Sequence, residues 1–259
     1  MLILAIAVQL VLMIGVPLAL FWWAPRRLGT ARALIGWGAL TFMLSQAVRW
    51  PLLFGLTWLF RNGVLPTPPS AWLPVFDIGV LCLTAGLFEE TARYLGYRTY
   101  ARNARTWANG VAFGLGHGGC EAIIFGVLAA TGAINMFVLS TMDPANLQIV
   151  DAATKAQVLA QAKAYWAMPA YMPLLGGMER VFSMCFHVAM SLVVLYAVAN
   201  RRWIWLVRAI ALHVVTNAAA VATLQSYGAV AAEAVIFAIA ALSLVAVFGL
   251  RPVLAQRTA

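Results

Sequence analysis

The stretch FEETARYLGYR (Phe88–Arg98) sets two adjacent glutamates and an arginine directly after a segment, residues 62–88, that carries one charge, Asp77. Whether residues 72–96 cross a membrane decides how the chain folds, and the rest of the sequence answers that. Of 259 residues, 64% are hydrophobic and 10% charged, with a mean hydropathy of +0.89. Soluble domains carry about 25% charged residues, so this composition describes an integral membrane protein. The first apolar run, Met1 to Trp23, is long enough to span, because about 20 residues cross a hydrocarbon core of about 30 Å. A secretory signal peptide would be followed by a polar mature chain, whereas this sequence continues apolar.

Apolar length predicts seven spans, at roughly residues 2–23, 33–60, 72–96, 107–131, 180–200, 204–225 and 230–249. The expected fold is an all-α polytopic bundle, one membrane-embedded domain over residues 1–259, with residues 72–225 supplying its chemistry. The second span is long for one perpendicular helix; either Pro51 kinks it or part of it lies at the interface. A net charge of +9 would point to nucleic acid in a soluble protein. Here topology explains it, and no nucleic-acid partner is expected. Arg26, Arg27 and Arg32, then Arg98, Arg102 and Arg105, then Arg201 and Arg202, then Arg251 and Arg257 all follow odd-numbered spans. Basic residues mark cytoplasmic loops, so the N-terminus is expected outside and the C-terminus in the cytoplasm. High Arg and Ala content with this topology fits a bacterial inner membrane. Cys82, Cys120 and Cys185 fall inside apolar runs and are odd in number, which fits small buried residues better than a disulfide set.

The long connection, residues 132–179, is expected on the outer face. Within it DPANLQIVDAATKAQVLAQAKAYW reads as helical, with Asp143 as cap and Pro144 in the first turn. Leu147, Val150, Val158 and Tyr165 fall on one side. That face suits an interfacial amphipathic helix or a cover over a site. MPAYMPLLGG (168–177) then breaks the helix.

All three histidines, His117, His187 and His213, lie in predicted spans, with Glu89, Glu90, Glu121, Asp77, Arg49 and Arg93. Charged groups in a bilayer cost several kcal/mol, so they face protein or water and mark function. A single histidine there can be a hydrogen-bonded link between helices. Three histidines and three glutamates on four spans are harder to explain that way. At 1.5 Å per helical residue, Glu89, His117, His213 and His187 lie ~10, ~15, ~14 and ~20 Å from the cytoplasmic ends of their spans. They share one slab although the spans alternate in direction.

Residues four apart share a helix face. Glu89 pairs in this way with Arg93, His117 with Glu121, and His213 with Asn217. Arg93 can hold a carboxylate by ionic hydrogen bonding, and Glu121 can serve either as a partner that fixes the tautomer of His117 or as a polar contact to another helix. The glycines of FGLGHGGCE suit close helix contact, or packing alone. Imidazoles and a carboxylate are good Zn²⁺ ligands, and a catalytic site keeps one position open for water. Another glutamate can then act as general base. The sequence lacks HExxH, so ligands must come from separate spans. Glu179–Arg180 reads as a boundary pair or an outer gate, and Arg49 calls for a carboxylate partner such as Asp77.

These residues resemble known motifs. EETAR (89–93), FGLGH (113–117) and HVVTN (213–217) are similar to the EExxR, FxxxH and HxxxN motifs of the CAAX-protease and bacteriocin-processing superfamily. FGLGHGGCEAIIFG (113–126), ERVFSMCFHVAMSLVV (179–194) and ALHVVTN (211–217) resemble the related YhfC family of intramembrane metalloproteases. The resemblance covers roughly residues 81–218. It implies a multi-spanning zinc protease, one Zn²⁺ per chain, that cuts peptide or protein substrates near or within the membrane. Glu89 would then be the general base, Glu90 a second acid and Arg93 the residue that orients a glutamate. His117 and His213 would bind metal or the attacking water, with Asn217 beside them, and His187 would be a further ligand. Two other readings remain open from the sequence. Membrane histidines and carboxylates also build metal or proton transport paths, although no repeated halves are visible. Superfamily relatives also include non-catalytic immunity or scaffold proteins.

Overall fold

A computed structural model describes residues 1–143, 147 and 151–255. Pro144, Val150 and Arg257, which enter the sequence reading, lie outside the described residues. The described chain is helical and contains no strand: α1 (Leu2–Leu28, with a π-helical turn at Val11–Gly15), α2 (Ala33–Arg61), α3 (Leu73–Arg98), α4 (Trp107–Thr141), α5 (Ala152–Trp166), α6 (Tyr171–Asn200), α7 (Ile204–Tyr227), α8 (Ala229–Gly249) and the short α9 (Arg251–Ala255). Among the described residues, six helices are long and apolar enough to cross a membrane: α1, α2, α4, α6, α7 and α8. α3 has the length, about 39 Å for its 26 residues, but it carries the glutamates and arginine of the opening stretch.

The helix ends follow local chemistry. Gly29 closes α1 in the left-handed region (φ 64°), which glycine reaches without a Cβ penalty. α4 starts where the side chain of Thr106 accepts the Asn109 amide at 3.3 Å. α2 runs unbroken through Pro51.

The long connection between α4 and α6 is shorter than expected. α4 continues ten residues beyond 131, and α6 begins at Tyr171, nine residues before 180. Residues 132–141 stay apolar, so nothing stops α4. Pro173 sits in the first turn of α6, where a missing N–H costs no helical bond, and Gly177 lets the backbone approach Gln9 and Leu12 of α1. The segment 168–177 therefore breaks the chain between α5 and α6 at its first residues, as expected, and its remainder opens α6 and packs on α1. Asp151 caps α5 by accepting the amides of Ala153 and Thr154; the first turn expected after Asp143 lies outside the described residues. Val158, Ala162 and Tyr165 form the inner side of α5, and Trp166 Nε1 donates to Met136 O of α4 at 3.1 Å.

α6 is the central helix. In its apolar stretch 61% of residues are buried, against 28% or fewer in the other five apolar helices. It packs against α1, α3, α4, α7 and α8, while α2 packs on α3 and α4. The glycines of the FGLGHGG segment set how closely these helices approach. A Cβ on Gly38 (α2) would overlap the carbonyl of Phe113, and one on Gly116 (α4) would overlap the carbonyl of Ile35. On the other side of α4, a Cβ on Gly114 would lie 2.7 Å from Val188 Cα, and one on Gly118 2.9 Å from His187 Cβ. α4 is thus pressed between α2 and α6, and His117 is carried into the contact.

Gly38→Ala forces backbone apart and is expected to cost about 1–3 kcal/mol or more. Gly36→Ala, one position from that face with open space around it, is expected to be neutral or to stabilise by about 0.4–1 kcal/mol. Thermal or denaturant unfolding of the two purified variants in detergent checks this contrast.

Candidate functional site

Four helices converge on the opening glutamates. Glu89 is 5% exposed, His187 3% and His213 2%, while Glu90, Arg93 and His117 are fully buried. Arg93 lies one turn from both glutamates on α3. Its guanidinium pairs with Glu90, its Nη2 is 3.9 Å from Glu89 Oε2, and the same nitrogen is 2.6 Å from Nδ1 of His187 on α6. A guanidinium only donates hydrogen bonds, so His187 Nδ1 accepts and the ring hydrogen sits on Nε2. That nitrogen makes an ionic contact with Glu121 Oε2 of α4.

The other two imidazoles take the opposite tautomer. His213 Nδ1 lies 2.7 Å from Glu90 Oε1, and an ionised carboxylate only accepts, so Nδ1 carries the hydrogen. The Thr41 hydroxyl on α2 gives its hydrogen to Gly38 O at 2.7 Å. It must therefore accept from His117 Nδ1 at 3.0 Å. Nε2 of His117 and Nε2 of His213 are left with bare lone pairs, and they lie 3.2 Å and 3.9 Å from the same atom, Glu89 Oε2.

Three acceptors facing one another with no hydrogen between them require a cation or a shared proton. The buried charge points the same way: Glu89 and Glu90 against Arg93 leave one negative charge when the imidazoles are neutral. Glu90 Oε2 is also buried with no hydrogen-bond partner. Ligand atoms of Glu89, His117 and His187 lie within 4.8 Å of one another. The donor set therefore fits a divalent ion that accepts nitrogen and oxygen ligands, zinc included. His187 has both nitrogens engaged, so it would join the ligands only by releasing Glu121 or Arg93.

The histidine rings are held by edge contacts, Phe42 on His117 at 5.4 Å and Phe186 on His213 at 5.4 Å between centroids. Gln46 Nε2 donates to Glu89 Oε1 at 3.3 Å and accepts from Arg49 through Oε1, also at 3.3 Å.

The structure thus unites Glu89, Glu90, Arg93, His117, His187 and His213. Two expectations change, and one alternative is decided. Of the two roles open to Glu121, the polar contact to another helix is the one made: it meets His187 of α6. It also accepts from Arg180 Nη1 at 3.0 Å. Arg180 pairs with Glu179 as well, so these two lie within α6 rather than at its boundary, because α6 starts at Tyr171. Arg49 binds Thr84 Oγ1, Gln46 Oε1 and Leu81 O, with Asp77 not among its partners, and its charge reaches Glu89 through an amide. Asn217 lies one turn beyond His213, half-buried, with no hydrogen bond among the described residues. Thr41 and Gln46 were missed. Their signal is a polar stripe, Thr41, Ser45 and Arg49 at four-residue spacing in an apolar helix, with Gln46 beside it.

Replacing Arg93 with Met strands the Glu90 carboxylate in a dry site and is expected to destabilise by about 3–5 kcal/mol. Unfolding of the purified variant measures the loss.

Comparison with known proteins identifies the family of this chain. A sequence model for the family described as "YhfC intramembrane metalloprotease" matches residues 10–240. The "Uncharacterized membrane protein YhfC" of Bacillus subtilis (strain 168) is 34% identical over 232 residues, which cover 88% of this chain and 88% of that protein. No solved structure matches. The apolar helices and this kinship make the chain a membrane protein. With a match that extends over most of its length and includes every helix of the buried cluster, the chain belongs to the YhfC intramembrane metalloprotease family.

Proposed function

We propose that this chain is a zinc-dependent intramembrane endopeptidase that hydrolyses peptide bonds of membrane-associated proteins. The observation that carries the reading is the convergence of His117 Nε2 and His213 Nε2 on Glu89 Oε2, with no hydrogen to separate them. In this reading His117 and His213 hold one Zn²⁺ per chain through their Nε2 atoms, and His187 joins them on releasing Glu121 or Arg93. The ion would supply Lewis acidity and bring the pKa of a bound water toward ~7.

The protein's own groups do the rest. Glu89 Oε2 takes the proton from the attacking water as general base. Glu90 holds His213 by its Nδ1–H, and Thr41 does the same for His117, so that both Nε2 atoms face inward. Arg93 keeps both glutamates ionised and oriented. Burial excludes bulk water and strengthens each of these interactions. Asn217 stands one turn from the centre, where a bound peptide would meet it. The order of EExxR, FxxxH and HxxxN supports kinship with the CAAX-protease and bacteriocin-processing superfamily. α3 is the seventh span in this proposal, with the N-terminus outside and the arginine-rich turns in the cytoplasm.

Purified protein is expected to carry about one zinc per chain, measured by elemental mass spectrometry. Glu89→Gln is expected to keep that zinc and lose at least about 10²-fold in cleavage. New N-termini in bacterial membranes that express wild type or Glu89→Gln provide the readout. Loss of zinc with the activity would make Glu89 a ligand instead of the base. Thr41→Val releases the His117 tautomer and is expected to weaken zinc binding by about 10–100-fold, measured by competition with a chromophoric chelator.

A further inference from the structure

The catalytic cluster is closed at one end. One turn from Arg93, His117 and His187 toward the α3 C-terminus lie Tyr97, Phe113 and Leu192, each with no exposed surface. Tyr97 and Phe113 stack with centroids 4.2 Å apart. A hydrated ion cannot pass there without unpacking the core.

The opposite end differs. Side-chain exposure rises in one direction: 4% at His187, 14% at Glu121, 15% at Arg180 and 35% at Glu179. Each member touches the next, so the series is a continuous polar lane from the cluster toward the α5 end of the bundle. A fourth group completes it. Glu233 on α8 is 9% exposed and its Oε2 has no hydrogen-bond partner. It lies one turn before Phe237, as Glu179 lies one turn before Phe182, and these two rings are in contact at 5.4 Å. The two carboxyls therefore lie at one level on facing helices. Arg180 binds Glu121 and Glu179 and leaves Glu233 unmatched. Three carboxyl groups share one guanidinium in a low-dielectric setting, so the cluster has more acidic groups than cations to pair with them and suits a further positive charge.

We propose that Glu233, Glu179 and Glu121, gathered around Arg180, form an entry lane that attracts a hydrated divalent cation and delivers it to the histidines. The proposal rests on the zinc reading above, because it assigns the route and leaves the ligands as they stand. Glu233 and Glu179 act on the way in, so they control how fast the ion arrives and not how many ions the protein holds.

The test uses full-length protein, stripped of metal in detergent, and Co²⁺ as the probe. Visible absorbance of the bound ion reports stopped-flow loading and final stoichiometry without any activity assay. Electrostatic focusing changes association rates by about 10–10³-fold. Glu233→Gln and Glu179→Gln are each expected to slow loading about threefold or more, and the double variant about tenfold, with the end point unchanged at one ion per chain. Loading at the wild-type rate overturns the lane and makes Glu233 a protonated packing group. A lower end point in either variant also overturns it, because the carboxylate would then be a ligand. A wild-type protein that takes up no Co²⁺ removes the zinc reading and the lane together. Should Glu233→Gln fail to fold, Glu179→Gln, one-third exposed at the mouth, carries the same rate prediction.

Discussion

A single guanidinium organises the interior. Arg93 is completely removed from solvent and still touches Glu90, Glu89 and His187. Taking such an ion out of water costs several kcal/mol even after relaxation, and only multiple well-placed partners offset that. α3 supplies two of those partners and α6 the third. The consequences spread outward: Arg93 decides the tautomer of His187, and Glu90, held by Arg93, decides that of His213. The polarity of each imidazole at the centre follows from this one cation and from the hydroxyl of Thr41.

The centre has no counterpart on a single helix. In the soluble zinc signature HExxH, two ligands come from one turn of one helix. Here His117, His187, His213 and Glu89 each sit on a different helix. The cluster exists only when α3, α4, α6 and α7 are docked, so affinity for an ion held there would be coupled to folding. The same dispersion explains why each histidine has its own second partner, since helices that meet only through side chains need those chains fixed individually.

Much of this was legible in the sequence. Apolar runs located the helices, and the common depth of Glu89, His117, His187 and His213 identified a shared centre before any coordinates. What escaped was rotational and local. Four-residue spacing put Glu121 on the face of His117, but spacing along one helix does not say which neighbour that face meets, and α6 receives it. Arg49 suggested an acid, because a sequence shows charge and not the amide of Gln46 that relays it. Thr41 was passed over because a hydroxyl in an apolar helix more often bonds its own backbone, and here it does that and also meets His117.

The reciprocal approach of Gly38 and Gly116 bears on movement. With backbone seated on backbone, and no side chains between to change rotamer, α2 and α4 cannot slide past each other without first separating. α7 is seated on α3 in a similar way at Gly86, where a Cβ would lie 2.9 Å from Val214 Cγ2 and 3.0 Å from the carbonyl oxygen of Ile210, so the helices that carry the glutamates and His213 are also held at backbone distance.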